Sequence, residues 1–136
     1  MRVLFIIGVA TGILLVFLLS WLPSPDIGDA LPFPAWLRKW TNDNMNLRTA
    51  VPFLFLGWIA ELFLSKKKAG NAARLWTLVL LVSIVSIAEI GQLWLPKRHF
   101  DWGDIGYGIA GSLLGMASAQ VSCRIIYRFI KNNASQ

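Results

Sequence analysis

From Val3 to Leu22 the chain runs for 20 residues without a charge. At about 1.5 Å per helical residue such a run measures about 30 Å, the thickness of the hydrocarbon core of a bilayer. The apolar part of a secretory leader is shorter, roughly 7–15 residues, and ends at a small-x-small cleavage site. No clear site of that kind follows Leu22. The run therefore predicts a retained transmembrane helix over 3–22. Gly8 and Gly12 form a small-xxx-small pair that would let a neighbouring helix approach closely.

The rest of the chain repeats this pattern. Charged residues make up 15% of the 136, hydrophobic residues 56%, and the mean hydropathy is +0.58. A soluble domain carries about 25% charge, so the chain reads as an integral membrane protein with no separate soluble domain. Asn46–Leu64 predicts a second helix, provided that Arg48 and Glu61 sit near opposite interfaces. Glu61 is expected to pair with Lys66, Lys67 or Lys68; the alternative is an intramembrane functional carboxylate. Leu75–Leu95 predicts a third helix, with Trp76 and Trp94 near its ends as an aromatic belt requires. Asp104–Cys123 predicts a fourth, with Asp104 at its N-cap. The fold class expected is all-α, an integral membrane four-helix bundle in one domain.

Between the first two helices, Pro23, Pro25, Pro32 and Pro34 break regular structure. Trp21, Trp36 and Trp40 flank this loop, and the sequence PAWLRKW is expected to lie along the membrane surface as a short amphipathic turn. With the N-terminus inside, the inner side carries Arg2, Lys66, Lys67, Lys68, Arg74, Arg124, Arg128 and Lys131. The outer side carries Arg38, Lys39, Arg48, Lys97 and Arg98. The basic excess on the first set puts both termini in the cytoplasm. The net charge of +6 then reads as orientation and lipid contact. No nucleic-acid module accompanies it, so no nucleic-acid partner is expected.

The chemistry concentrates between Ala88 and Gly115. Ser86, Glu89 and Gln92 share a helix face. Glu89 lies six residues before Leu95, roughly 9 Å below the end of the third helix. A charge near a helix centre in lipid costs roughly 2.5–3.5 kcal/mol by insertion scales, which makes an intramembrane carboxylate a candidate functional residue. Pro96 turns the chain, and Arg98 offers a planar fork for a carboxylate or a phosphate. Glu89, Gln92, Arg98, Asp101 and Asp104 are thus expected to form one polar network at the outer end of the bundle. Asp104, Gly108, Gly111, Gly115, Ser118 and Ser122 fall on one stripe of the fourth helix, which predicts close helix packing. His99 reads as an exposed loop residue. One histidine and one cysteine, Cys123, permit neither an intramolecular disulfide nor a His/Cys zinc set. The carboxylates offer too few fixed oxygens for a hard cation. No metal and no cofactor is expected, and none of the common hydrolase motifs occurs.

The ordered set Glu89, Gln92, Pro96, Arg98, Asp101, Asp104, Gly111 and Gly115 resembles the VanZ-like family. That family's pattern runs Glu, Gln three residues on, Pro-x-Arg, a short acidic loop, an Asp, an Asn four residues later, and spaced glycines. Gly108 stands here at the Asn position. The family also tends to carry an Asp-Lys-x-x-His element at the start of its second helix, where this chain has Asn42-Asp43-Asn44-Met45-Asn46, without the Lys and His. The resemblance implies a small multi-pass protein of the bacterial inner membrane, associated in the family's named member with low-level resistance to the glycopeptide teicoplanin.

Three functions follow as expectations. The first is a protein that binds or handles an envelope lipid or glycolipid head group at the outer leaflet, its partners being membrane lipid and a lipid-linked envelope precursor. The second is a membrane enzyme acting on a lipid-linked substrate with Glu89 or Asp104 as general base. The third is a structural subunit of an envelope complex, held by its glycine faces. The reading leans to the first and away from an enzyme.

Overall fold

The computed structural model describes residues 2–22, 32–96 and 98–133. Pro23, Pro25 and Lys97 fall outside them. Among the described residues all regular structure is helical: α1 (Arg2–Ser20), α2 (Ala35–Asp43), α3 (Met45–Lys66), α4 (Asn71–Gln92) and α5 (Trp102–Asn133). Four of these, all but α2, are long and apolar enough to cross a membrane. The protein is therefore a multi-pass membrane protein by the length and composition of its helices. The ends of α1, α4 and the starts of α3, α5 lie together at one end of the bundle, hereafter the motif end. The other end, where α3 closes on Lys66, Lys67 and Lys68, is the lysine end.

The helix limits differ from the expected spans for a common reason. Hydropathy marks where apolar residues stop, and helices stop where the backbone is broken. α5 passes Cys123 and continues to Asn133, because no glycine or proline follows Gly115 up to that point. It also starts two residues before Asp104. α4 begins at Asn71 and ends at Gln92, after which Leu93–Leu95 turn before Pro96. PAWLRKW contributes to a nine-residue helix, α2, with Trp36 fully on its exposed side.

The core is built from α1, α3 and α4: Val16, Phe53, Leu56, Leu81, Val85 and Ala88 are all buried. α5 joins by a different device. A Cβ on Gly111 would strike the backbone of Ala50, one on Gly115 the backbone of Leu54, and one on Gly57 the backbone carbonyl of Ser112. The two helices therefore pack main chain against main chain, with glycine on both sides of the seam. Gly108 makes room for Val85 of α4, 2.9 Å from where a Cβ would stand. One of the two α1 glycines differs from the expectation. Gly12 receives the side chain of Leu56, but the nearest atom to a Cβ on Gly8 is 4.0 Å away. Gly8 marks no close helix approach; it lines an apolar groove between α1 and α3.

Aromatic side chains fasten α1 instead. Phe5 stacks on Phe63 with centroids 3.9 Å apart at the lysine end. At the motif end the Trp21 indole lies against Gly91 and donates to the Ala88 carbonyl at 3.2 Å. Outward-facing Leu4, Leu14, Leu80 and Leu114 remain exposed, an apolar surface suited to lipid.

Candidate functional site

At the motif end α4 reaches its last turn with Glu89 and Gln92 one above the other. Both are buried, Glu89 at 1% and Gln92 at 4% exposure. The i, i+3 spacing lets Gln92 Nε2 donate to Glu89 Oε1 at 2.6 Å. The other carboxylate oxygen, Oε2, accepts the backbone N–H of Asp101 at 3.2 Å. Both oxygens of Glu89 are thus held by uncharged donors, and the loop returning from Pro96 is tied to α4 through one of them.

Asp101, not Asp104, caps α5. Its Oδ1 accepts the N–H of Gly103 at 2.7 Å, the bond an N-cap aspartate makes to the second helical residue. The helix therefore opens at Trp102, and Asp104 sits inside its first turn, where a carboxylate complements the helix dipole. From there Asp104 Oδ1 accepts the Thr49 hydroxyl of α3 at 2.9 Å.

Arg98 is held by a group outside the expected network. Its Nε donates to the Leu22 carbonyl at 3.1 Å and its Nη2 approaches the Leu19 carbonyl at 3.4 Å. These belong to the last turn of α1 and to the second residue past it, where carbonyls lack helical partners and a cation is favoured. From this position its charge still acts through space on Glu89 and Asp104, as that of Arg48 does on Asp104.

Between these groups lies a cavity of about 30 Å³, room for one or two waters. Its polar wall is made by Ser20, Arg48, Thr49, Gln92 and Asp104, and its apolar wall by residues such as Val16 and Phe53. All four membrane-length helices contribute. Pro52 lines the same space and removes one rung from the α3 ladder there. His99 and Asp101 are exposed. Among the described residues no three His, Cys, Asp or Glu side chains are placed to hold a metal ion.

The sequence reading did not identify Thr49 as a partner of Asp104, or Arg48 as part of this wall. The available signal was Arg48-Thr49 one turn ahead of Pro52, three atypical residues at the start of an apolar span. Nor did it pair Glu61 correctly. Glu61 is 0% exposed, and Arg74 Nε reaches both of its oxygens, at 2.9 and 3.2 Å. The Ser65 hydroxyl adds a third bond at 2.8 Å. Lys66, Lys67 and Lys68 are exposed, and Lys67 lies over the Phe63 ring at 4.4 Å. Glu61 faces the bundle, where Arg74 in the first turn of α4 reaches it. No protein-family model, curated protein or solved structure matches this chain.

Proposed function

We propose that the protein is a VanZ-like member of the bacterial inner membrane that receives a polar head group of an envelope lipid or glycolipid at its motif end. Both termini face the cytoplasm in this reading, and the motif end faces the outer leaflet. The observation that carries it is the convergence of all four membrane-length helices on one small polar cavity at the limit of the apolar spans. Arg48 supplies a cation, Thr49 and Gln92 neutral hydrogen-bonding groups, and Asp104 a carboxylate. That set suits a phosphate beside hydroxyl or amide groups. The cavity is small, so one polar group would enter it with the rest of the head group outside. Glu89 has both oxygens occupied, so it shapes the site, and Asp104 is the carboxylate that borders the space.

Native mass spectrometry of the detergent-extracted protein tests this reading. A co-purified envelope lipid is expected on the natural chain, with reduced occupancy in Asp104→Asn. Equal occupancy in both would move the ligand away from the motif end. Expression should also lower teicoplanin susceptibility, an effect lost in the same variant. Cysteines placed at Ser24 and Phe100, in a chain lacking Cys123, should react with an impermeant thiol reagent added outside cells. A cysteine at Lys67 should not, and its labelling alone would invert the topology.

A further inference from the structure

A second recess lies at the lysine end, separated from the motif end by the length of the bundle. It has a volume of about 400 Å³ and is walled by the end of α3, the start of α4 and the emerging part of α5. Asn71, Arg74, Gln120, Cys123, Arg124 and Tyr127 line it, together with Ser65, and no carboxylate does. Glu61 beneath is already engaged by Arg74 and Ser65. Arg74 itself is fixed by those bonds and by Nη1 donating to the Ala69 carbonyl at 3.0 Å. Its remaining nitrogen, Nη2, is the one left for another acceptor.

Among the described residues the side chains of Asn71, Gln120, Arg124 and Tyr127 have no hydrogen-bond or ion-pair partner. Four polar groups from two helices thus meet around one space without bonding one another, and all four can donate. With Lys66, Lys67 and Lys68 exposed at the same end of α3, the recess is cationic. It also lies where α3 ends and α4 begins, at the limit of two membrane-length spans. A zwitterionic head group would find donors for its phosphate but no carboxylate for its ammonium.

We propose that this recess binds the phosphate of an anionic phospholipid, with Arg124 and Gln120 as its principal donors. The site is independent of the one at the motif end. Cys123, the chain's one cysteine, lines the recess and reports on it directly. The test measures the alkylation rate of Cys123 by N-ethylmaleimide, with the thermal midpoint alongside. The protein is held in neutral detergent micelles doped with phosphatidylglycerol, with phosphatidylcholine, or with inorganic phosphate alone. Phosphatidylglycerol should slow alkylation several-fold relative to phosphatidylcholine and raise the midpoint. Arg124→Gln and Gln120→Leu should each remove most of that protection while keeping the midpoint of the lipid-free protein. Gln120→Leu changes no charge, so it separates the recess from general attraction to the micelle. Equal rates in the two lipids, or full protection in both variants, overturns the proposal. Protection by inorganic phosphate equal to that by phosphatidylglycerol overturns the assignment to a lipid.

Discussion

The two ends of the bundle each bury a carboxylate, and they satisfy it differently. At the lysine end Glu61 meets a guanidinium that grips both oxygens, with a serine closing the set. Its charge is cancelled within 13 residues of chain. At the motif end Glu89 is held by the Gln92 amide and a backbone N–H, and Asp104 by a threonine hydroxyl. A guanidinium donates to Glu61, whereas an amide, a backbone N–H and a hydroxyl donate to Glu89 and Asp104. The first end is therefore a staple between α3 and α4, and the second leaves room around a cavity. A residue type alone does not separate a structural carboxylate from one that faces a ligand; the identity of its donor does.

The largest effect should come from breaking the staple. Arg74→Met leaves a fully buried Glu61 without its cation; removing one partner of a buried pair costs about 3–5 kcal/mol, and with Arg74 itself partly exposed the loss should fall near the lower end. Adding Glu61→Gln should restore much of the loss, because the stranded charge goes with it. Thermal unfolding of the single and double variants in detergent gives the comparison. Additive losses would mean that the pair is not one unit, and the contrast between the ends would fail.

Gly115→Leu strikes both ends together, since the α3–α5 seam connects them. The atoms that a side chain would meet belong to the backbone of Leu54 and Trp58, which cannot swing aside. Overpacking costs about 1–3 kcal/mol and sometimes more, and a backbone obstacle belongs at the upper limit. An unchanged midpoint would show that the two helices do not touch main chain to main chain.

How much of this was readable in the sequence depended on distance along the chain. The four spans were legible from apolar stretches long enough to cross a membrane, the first of them without a charge and the second despite Arg48, Pro52 and Glu61. The Glu89–Gln92 bond was legible because three residues on a helix fix the geometry. Arg98 stood out, but its carbonyl partner lies 76 residues away, and no local rule connects the last turn of α1 to the loop after Pro96. Gly57 was invisible as a lone glycine; only the facing Ser112 carbonyl gives it a role. The Asp101 cap was missed because hydropathy placed the start of the helix too late, at the first long apolar run.

At the motif end the sharpest probe is Thr49→Val, which keeps the shape and removes the hydroxyl that Asp104 accepts. Leaving a partly buried acceptor unsatisfied costs about 1–3 kcal/mol, and the small cavity beside it lets water recover part of that. The loss should therefore fall near the low end of the range and well below that of Arg74→Met. A loss as large as that of Arg74→Met would mean that Thr49 and Asp104 form a staple too, and that the cavity is not accessible to water.

The smallest effect has the opposite sign. α3 ends at Lys66, and the next turn carries Lys68 at φ 52°, the left-handed region. Two bonds hold it there: Lys68 N–H to the Ser65 carbonyl at 3.1 Å and Ala69 N–H to the Leu64 carbonyl at 2.9 Å. Together they make a Schellman end, in which glycine is the usual residue at the left-handed position because it has no Cβ to crowd the backbone. A lysine there pays part of the roughly 1–2 kcal/mol that left-handed backbone costs an L-residue. Lys68→Gly relieves this strain but also gives the unfolded chain more freedom, which offsets some of the gain. The net expectation is a stabilisation of about 0.5–1 kcal/mol, read as a higher thermal midpoint in detergent. Arg74 bonds the carbonyl of Ala69 in the same turn, so the gain should shrink in the Arg74→Met background, where that support is gone. A gain of equal size in both backgrounds would mean that the turn and the Glu61–Arg74 pair are separate devices, and the lysine end would be less of a single staple than the geometry makes it.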